Sequence, residues 1–166
     1  GPNGCGKSTL LQLLAAQLQP LAGECKLNAT HAVLDQHQSL LQPSSSVLSQ
    51  LLTESPSTPE SLQRMRLAQI GLDSRHIDQP TGQLSGGERL KAAMACALYR
   101  DEPAQLLLLD EPDNHLDLPS LQALESMLRQ YSGTLLIVSH DAMLLQALEL
   151  THHLSFASGR WTLTAL

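Results

Sequence analysis

The chain has 166 residues, the size of one domain and enough for a real core. A composition that is 42% hydrophobic and 16% charged excludes a disordered chain. A formal charge of −6 leaves no basic footprint for DNA or an acidic membrane surface, and no apolar run reaches the roughly 18 residues of a membrane span.

The first element is a loop. Gly1-Pro-Asn-Gly-Cys-Gly-Lys7-Ser8 has the spacing of a phosphate-binding loop: glycine, four residues, then Gly-Lys-Ser. Gly4 and Gly6 admit backbone conformations closed to other residues, so successive N–H groups can turn inward around phosphate oxygens. Lys7 supplies a point charge for the β- and γ-phosphates, and the Ser8 hydroxyl a magnesium ligand. Thr9 to Leu18 predicts an amphipathic helix stopped by Pro20, whose positive end adds to the anion site. Such a loop follows a buried strand, and the expectation is truncation: a piece of a longer polypeptide, or a gene fragment.

A strand is predicted within Cys25–Asp35, ending at Gln36. Short helices and exposed loops fill the Pro- and Ser-rich stretch that follows, with a helix from Pro59 closed by Gly71. Leu84-Ser-Gly-Gly-Glu88 introduces a strong helix over Arg89–Tyr99. Four leucines, Leu106 to Leu109, run into Asp110-Glu111-Pro112 and predict a strand buried on both faces with function at its carboxyl end. Leu118–Tyr131 predicts a helix, Gly133–Val138 a second buried strand ending at Ser139-His140-Asp141, and Ala142–Leu150 a further helix. A weak hairpin turns at Ser158-Gly159. Alternating strands and helices predict an α/β parallel sheet interrupted by a mainly helical insert at about 37–83. The core is aliphatic, because Tyr99, Tyr131, Phe156 and Trp161 are the only aromatic residues. Cys5, Cys25 and Cys96 lack paired or metal-ligand spacing and fit the reduced thiols of a cytoplasmic protein. His31, His37, His76, His152 and His153 are read as lacking carboxylate or cysteine partners at ligand spacing.

Chemistry concentrates at three of these places. The first acid after the leucine strand, Asp110, belongs beside a phosphate-binding loop and helps hold magnesium; the second, Glu111, can activate water as a general base. Ser85, Gly86 and Gly87 at a helix start form a further anion site.

With these residues the chain resembles the nucleotide-binding domain of the ATP-binding cassette superfamily. The matching motifs are Walker A (Gly1–Ser8), the Q-loop Gln36, the signature Leu84–Glu88, Walker B (Leu106–Asp110) with Glu111, the D-loop Asn114–Asp117 and the H-loop His140. The resemblance implies a P-loop NTPase fold over residues 1–166, with 1–36 and 84–166 as core and about 37–83 as helical subdomain. It implies ATP and Mg2+ as ligands. Lys7 and the backbone of Asn3, Gly4, Cys5, Gly6, Ser8 and Thr9 would hold phosphates, and Ser8, Gln36 and Asp110 would surround the metal. Glu111 would act on the lytic water and His140 on the γ-phosphate. Ser85, Gly86, Gly87 and Glu88 would reach ATP held by a second cassette, with Asp117 in that interface.

Asn114-His-Leu-Asp117, Val33-Leu-Asp-Gln36 and the run from Leu124 to Asp141 resemble the ABC-F branch in particular. That implies two cassettes on one chain, no membrane domain, and action on the ribosome in translation or antibiotic resistance. The alternatives are the ATP-binding subunit of a membrane transporter and a nucleotide-gated, non-hydrolysing module or decayed fragment. Two departures stand out. Asp113 replaces the branch's usual threonine, placing an added acid beside the site. Ala-Met-Leu-Leu follows His140-Asp141 where Arg-x-Phe-Leu is usual.

Overall fold

The computed structural model describes residues 6–35, 40–114 and 116–166. Three parallel strands form its centre: β1 (His31–Leu34), β2 (Leu106–Asp110) and β3 (Thr134–Val138), in the order β1-β2-β3. The register aligns Leu34 with Leu109 and Asp110 with Val138, so all three strands open their carboxyl ends on one side.

The leucine run of β2 is buried on both faces, as its sequence predicts. Leu106 and Leu108 face a small cluster with Leu11 of helix α1 (Lys7–Leu14), joined by Val33 and Leu136. Leu107 and Leu109 face the main core with Ala32 and Leu34. Period-two alternation within one strand therefore glues helices to both sides of the sheet. The main core is closed by α2 (Val47–Glu54), α3 (Glu60–Gln69), α4 (Ser74–Asp78), α5 (Gly86–Leu98) and α6 (Leu118–Gln130). The stretch Ala92 to Ala97 of α5 is fully enclosed or nearly so. Cys96 lies within it, and burial pushes its thiol up to about 12.

Helix α1 stops earlier than Leu18. Ala16 takes φ 55, and the bonds Ala16 N–H to Leu13 C=O and Gln17 N–H to Gln12 C=O close a Schellman turn four residues before Pro20. An alanine occupies the position that usually advertises itself as glycine. At α3 the expected glycine does this job: Gly71 takes φ 77 and Leu72 N–H bonds Leu67 C=O. Helix α5 begins at Gly86 rather than Arg89, so the signature glycines form its first turn. Helix α4, absent from the sequence reading, is capped by Asp73, whose carboxylate accepts from Arg75 N–H and His76 N–H. Helix α7 (Ala142–Ala147) is shorter than predicted because Glu149 turns at φ 48. Strands β4 (His152–Ala157) and β5 (Arg160–Ala165) form an antiparallel hairpin, and Ser158 and Gly159 both take positive φ, as a primed turn requires. No helix among the described residues is long and apolar enough to cross a membrane.

Candidate functional site

The start of α1 has no side-chain cap. Gly6 takes φ 89 immediately before the helix. Leu10 N–H returns to Gly6 C=O at 2.9 Å, closing the first turn. First-turn N–H groups have no partner within a helix, and the helix dipole is positive there. Ser8 and Thr9 are exposed. Leu11, packed on Leu106 and Leu108, holds this helix over β2. Asn3, Gly4 and Cys5 of the same loop, and the Q-loop Gln36, lie outside the described residues.

At the carboxyl end of β2 the chain turns sharply after Asp110. Glu111 takes φ 49, a conformation that L-residues seldom adopt and that often marks functional sites. Its N–H donates to Val138 C=O at 2.8 Å, which ties the exit of β2 to the exit of β3. Its carboxylate is held at both oxygens: Asn114 Nδ2 donates to Oε2 at 2.6 Å, and His140 Nε2 lies 3.6 Å from Oε1. The structure thus brings together Glu111 and His140, which the sequence reading assigned to one reaction. Asn114 was named there only as part of the D-loop; its grip on Glu111 has no signature beyond a three-residue spacing.

His140 owes its position to its neighbour. Asp141 caps α7 by accepting from Met143 N–H at 2.8 Å and Leu144 N–H at 3.1 Å, while Asp141 N–H donates to Ser139 Oγ at 2.9 Å. The turn leaves the imidazole exposed toward Glu111. Asp113, the acid that departs from the ABC-F pattern, is half-buried, and its Oδ1 is enclosed without a hydrogen-bond partner.

The signature forms a capping box. Ser85 Oγ accepts from Glu88 N–H, and Glu88 Oε2 accepts from Ser85 N–H at 2.8 Å. That backbone hydrogen bond, followed by the Ser85 hydroxyl and the charges of His76 and Lys91, holds the Glu88 carboxyl below its usual range. Gly87 has a packing reason of its own: a Cβ there would lie 2.2 Å from Ser120 Oγ and 2.8 Å from Ser120 Cβ. Asp117, at the end of the D-loop, caps α6 by accepting from Ser120 N–H at 3.0 Å. The hydroxyl and then the backbone N–H of Ser120 lower its pKa. Signature and D-loop therefore meet through Ser120.

One reading of the sequence needs correction. His76 does have carboxylate partners: Nδ1 lies 2.8 Å from Asp73 Oδ1, and Nε2 lies 2.9 Å from Glu88 Oε1. The first partner stands three residues away on a short helix that the sequence analysis missed, and the second is separated from it by a loop.

A cavity of about 780 Å³, lined by Tyr99, Ala104, Gln105, Tyr131 and Gly133 among others, lies at the amino ends of β2 and β3. It is at the opposite end of the sheet from Glu111 and His140.

The sequence profile described as "ABC transporter" matches residues 1–114. The chain belongs to this ATP-binding cassette family. The cassette is 43% identical over 143 residues to YdiF of Bacillus subtilis, a match covering 85% of this chain and 22% of YdiF. It is 38% identical over 148 residues to ABC transporter F family member 2 of Arabidopsis thaliana, covering 85% of this chain and 21% of that protein. It spans under a quarter of the length of these curated relatives. Among solved structures it matches archaeal ribosome recycling factor aABCE1, determined in complex with the archaeal ribosomal stalk protein aP1. The TM-score is 0.72 at 27% identity, over 96% of this chain and 31% of that one. The α/β sheet and its helices are thus those of an ABC ATPase domain, and the cassette is ABC-F-like.

Proposed function

We propose that this cassette binds and hydrolyses ATP with Mg2+, and that a second cassette completes its site. The observation that carries the reading is the convergence of Glu111 and His140 at the carboxyl end of the parallel sheet. The start of α1, which has no side-chain cap and packs over β2, supports an anion site there.

In this reading Lys7, the backbone of Asn3 to Thr9 and the α1 dipole bind the triphosphate. Ser8, Gln36 and Asp110 hold Mg2+, which supplies neutralisation of phosphate charge when bound. Glu111 accepts a proton from the attacking water. Asn114 orients one oxygen of that carboxylate, and the other faces His140. His140 donates to the γ-phosphate as charge develops there. Ser85, Gly86, Gly87 and Glu88 reach the nucleotide of the facing cassette, with Asp117 at that boundary. The domain divides into a core of 1–36 and 84–166 and a helical subdomain of about 37–83.

The cycle is coupled to the ribosome from the cytoplasm. Support comes from the ABC-F wording of Asn114–Asp117 and from the structural likeness to the archaeal ribosome recycling factor aABCE1. The family description leaves one specific competitor, a transporter subunit.

Glu111→Gln in the complete natural protein separates these readings. The carboxamide cannot take the proton, so turnover should fall by about two orders of magnitude or more while ATP stays bound. Held with ATP in cell extract, this variant should co-sediment with ribosomal subunits. Capture of an integral membrane protein instead would establish the transporter reading, and undiminished hydrolysis would remove Glu111 from its role.

A further inference from the structure

The signature carboxylate, Glu88, has a contact inside its own cassette at each oxygen. Oε2 takes the Ser85 N–H at 2.8 Å, and Oε1 lies 2.9 Å from His76 Nε2. The imidazole is in turn fixed by Asp73, whose Oδ1 lies 2.8 Å from Nδ1 as an ion-pair contact rather than an aligned hydrogen bond. Asp73 is itself immobilised as the cap of α4, accepting from Arg75 N–H at 2.9 Å and His76 N–H at 3.3 Å. Helix α4 is braced against α3 by a bidentate pair, Arg64 Nη1 and Nη2 each lying 3.0 Å from an Asp78 carboxylate oxygen. Side chains of His76 and Glu88 are 29% and 27% exposed, so water competes weakly for this contact. The remaining charge acting on Glu88 is Lys91 of α5, and Arg75 lies on the same short helix as His76.

These contacts form one continuous line: α3, Arg64–Asp78, α4, Asp73–His76, Glu88, and the Ser85 backbone at the start of α5. We infer that His76 is a positioning residue for the signature turn. It clamps Glu88 so that the first turn of α5 is presented in a fixed orientation, and it makes the helical segment a lever on that turn. The inference rests on the proposed role of the signature at a facing nucleotide. It goes beyond that role by assigning its geometry to a histidine outside every motif. His76 touches no reacting group and acts only through Glu88.

The test compares His76→Leu, which keeps the volume and removes both ring nitrogens, with His76→Gln, whose Nε2 can replace the imidazole donor. Both are made in the complete natural polypeptide. Small misplacements of a positioned group cost one to two orders of magnitude in rate. His76→Leu should lower kcat about tenfold or more while KM for ATP stays within about twofold, because the α1 anion site is untouched. His76→Gln should recover kcat to within about threefold, and the two variants should melt within a few degrees of each other. Equal kcat in both variants, or a loss in His76→Leu that follows its melting temperature without rescue by glutamine, would overturn the assignment. Should the unsubstituted protein not turn over ATP, the ATPase reading fails on its own account. The clamp is then judged by a thermal double-mutant cycle of His76→Leu with Glu88→Gln: non-additive shifts support it, and additive shifts overturn it.

Discussion

Gly87 shows how a motif residue can answer to two constraints. A signature glycine is ordinarily read through its closeness to a nucleotide, yet here the space its missing side chain would need is already filled by Ser120. Ser120 is buried, and both its hydroxyl and its N–H hold Asp117, so it cannot simply swing aside. Overpacking of this kind destabilises by about 1–3 kcal/mol. Gly87→Ala should therefore lower the melting temperature in the absence of any nucleotide, and Ser120→Gly in the same chain should recover part of the loss. An unchanged melt for Gly87→Ala would return this glycine wholly to the ligand. The packing could not be anticipated from sequence, because Gly87 and Ser120 meet only across the α5–α6 contact.

Among the elements, the apolar runs of β2 and β3 and the long helices α5 and α6 were legible, because buried strands and amphipathic helices write their period into the chain. Helix α4 was not, since five residues are too short to show a period, and α1 ended at an alanine where glycine was the signal to look for. Within the candidate site, the pairing of Glu111 with His140 was legible through motif order, whereas the clamp on Glu88 was not, because it joins a missed helix to a motif. Several elements share a device that makes a testable claim about acid. Asp73 is lowered by the Arg75 and His76 N–H groups, Glu88 by that of Ser85, and Asp117 by the Ser120 hydroxyl and N–H. Each folded-state pKa lies below its unfolded value, so its contribution is fully present above the ordinary carboxylate range. The contribution is lost as pH falls through that range toward the depressed value. Melting temperature should thus decline below about pH 5. Asp117→Asn keeps an acceptor for the cap, so it should leave the neutral-pH melt nearly unchanged and make the acid slope shallower. An identical slope in both proteins would remove Asp117 from the account.

At the scale of the whole molecule, the sheet is packed by helices on its faces, and among the described residues both of its outer strands have an unpaired edge. Strand β3 pairs with β2, and among the described residues no strand pairs with its other edge. Leu135 to Val138 are only half-buried although their sequence is that of a buried strand. The β4–β5 hairpin repeats the pattern, for among the described residues it pairs only with itself, and it gathers Leu154, Phe156, Trp161 and Leu163 on one face, with Leu163 63% exposed. An unpaired apolar strand edge is a template for pairing with another chain, and the net charge of −6 spread over the molecule does not block a local edge. The 166-residue chain by itself should therefore self-associate at micromolar concentration, seen as a sedimentation coefficient that rises with concentration. Thr134, exposed at the start of β3, is the place to interrupt this without touching the core. Thr134→Lys puts a charge on the open edge, as natural edge strands do, and should lower the association while leaving the melt in place. A concentration-independent monomer with one cooperative melt would show that the exposed edge is harmless, and the half-buried leucines of β3 would then need no covering strand.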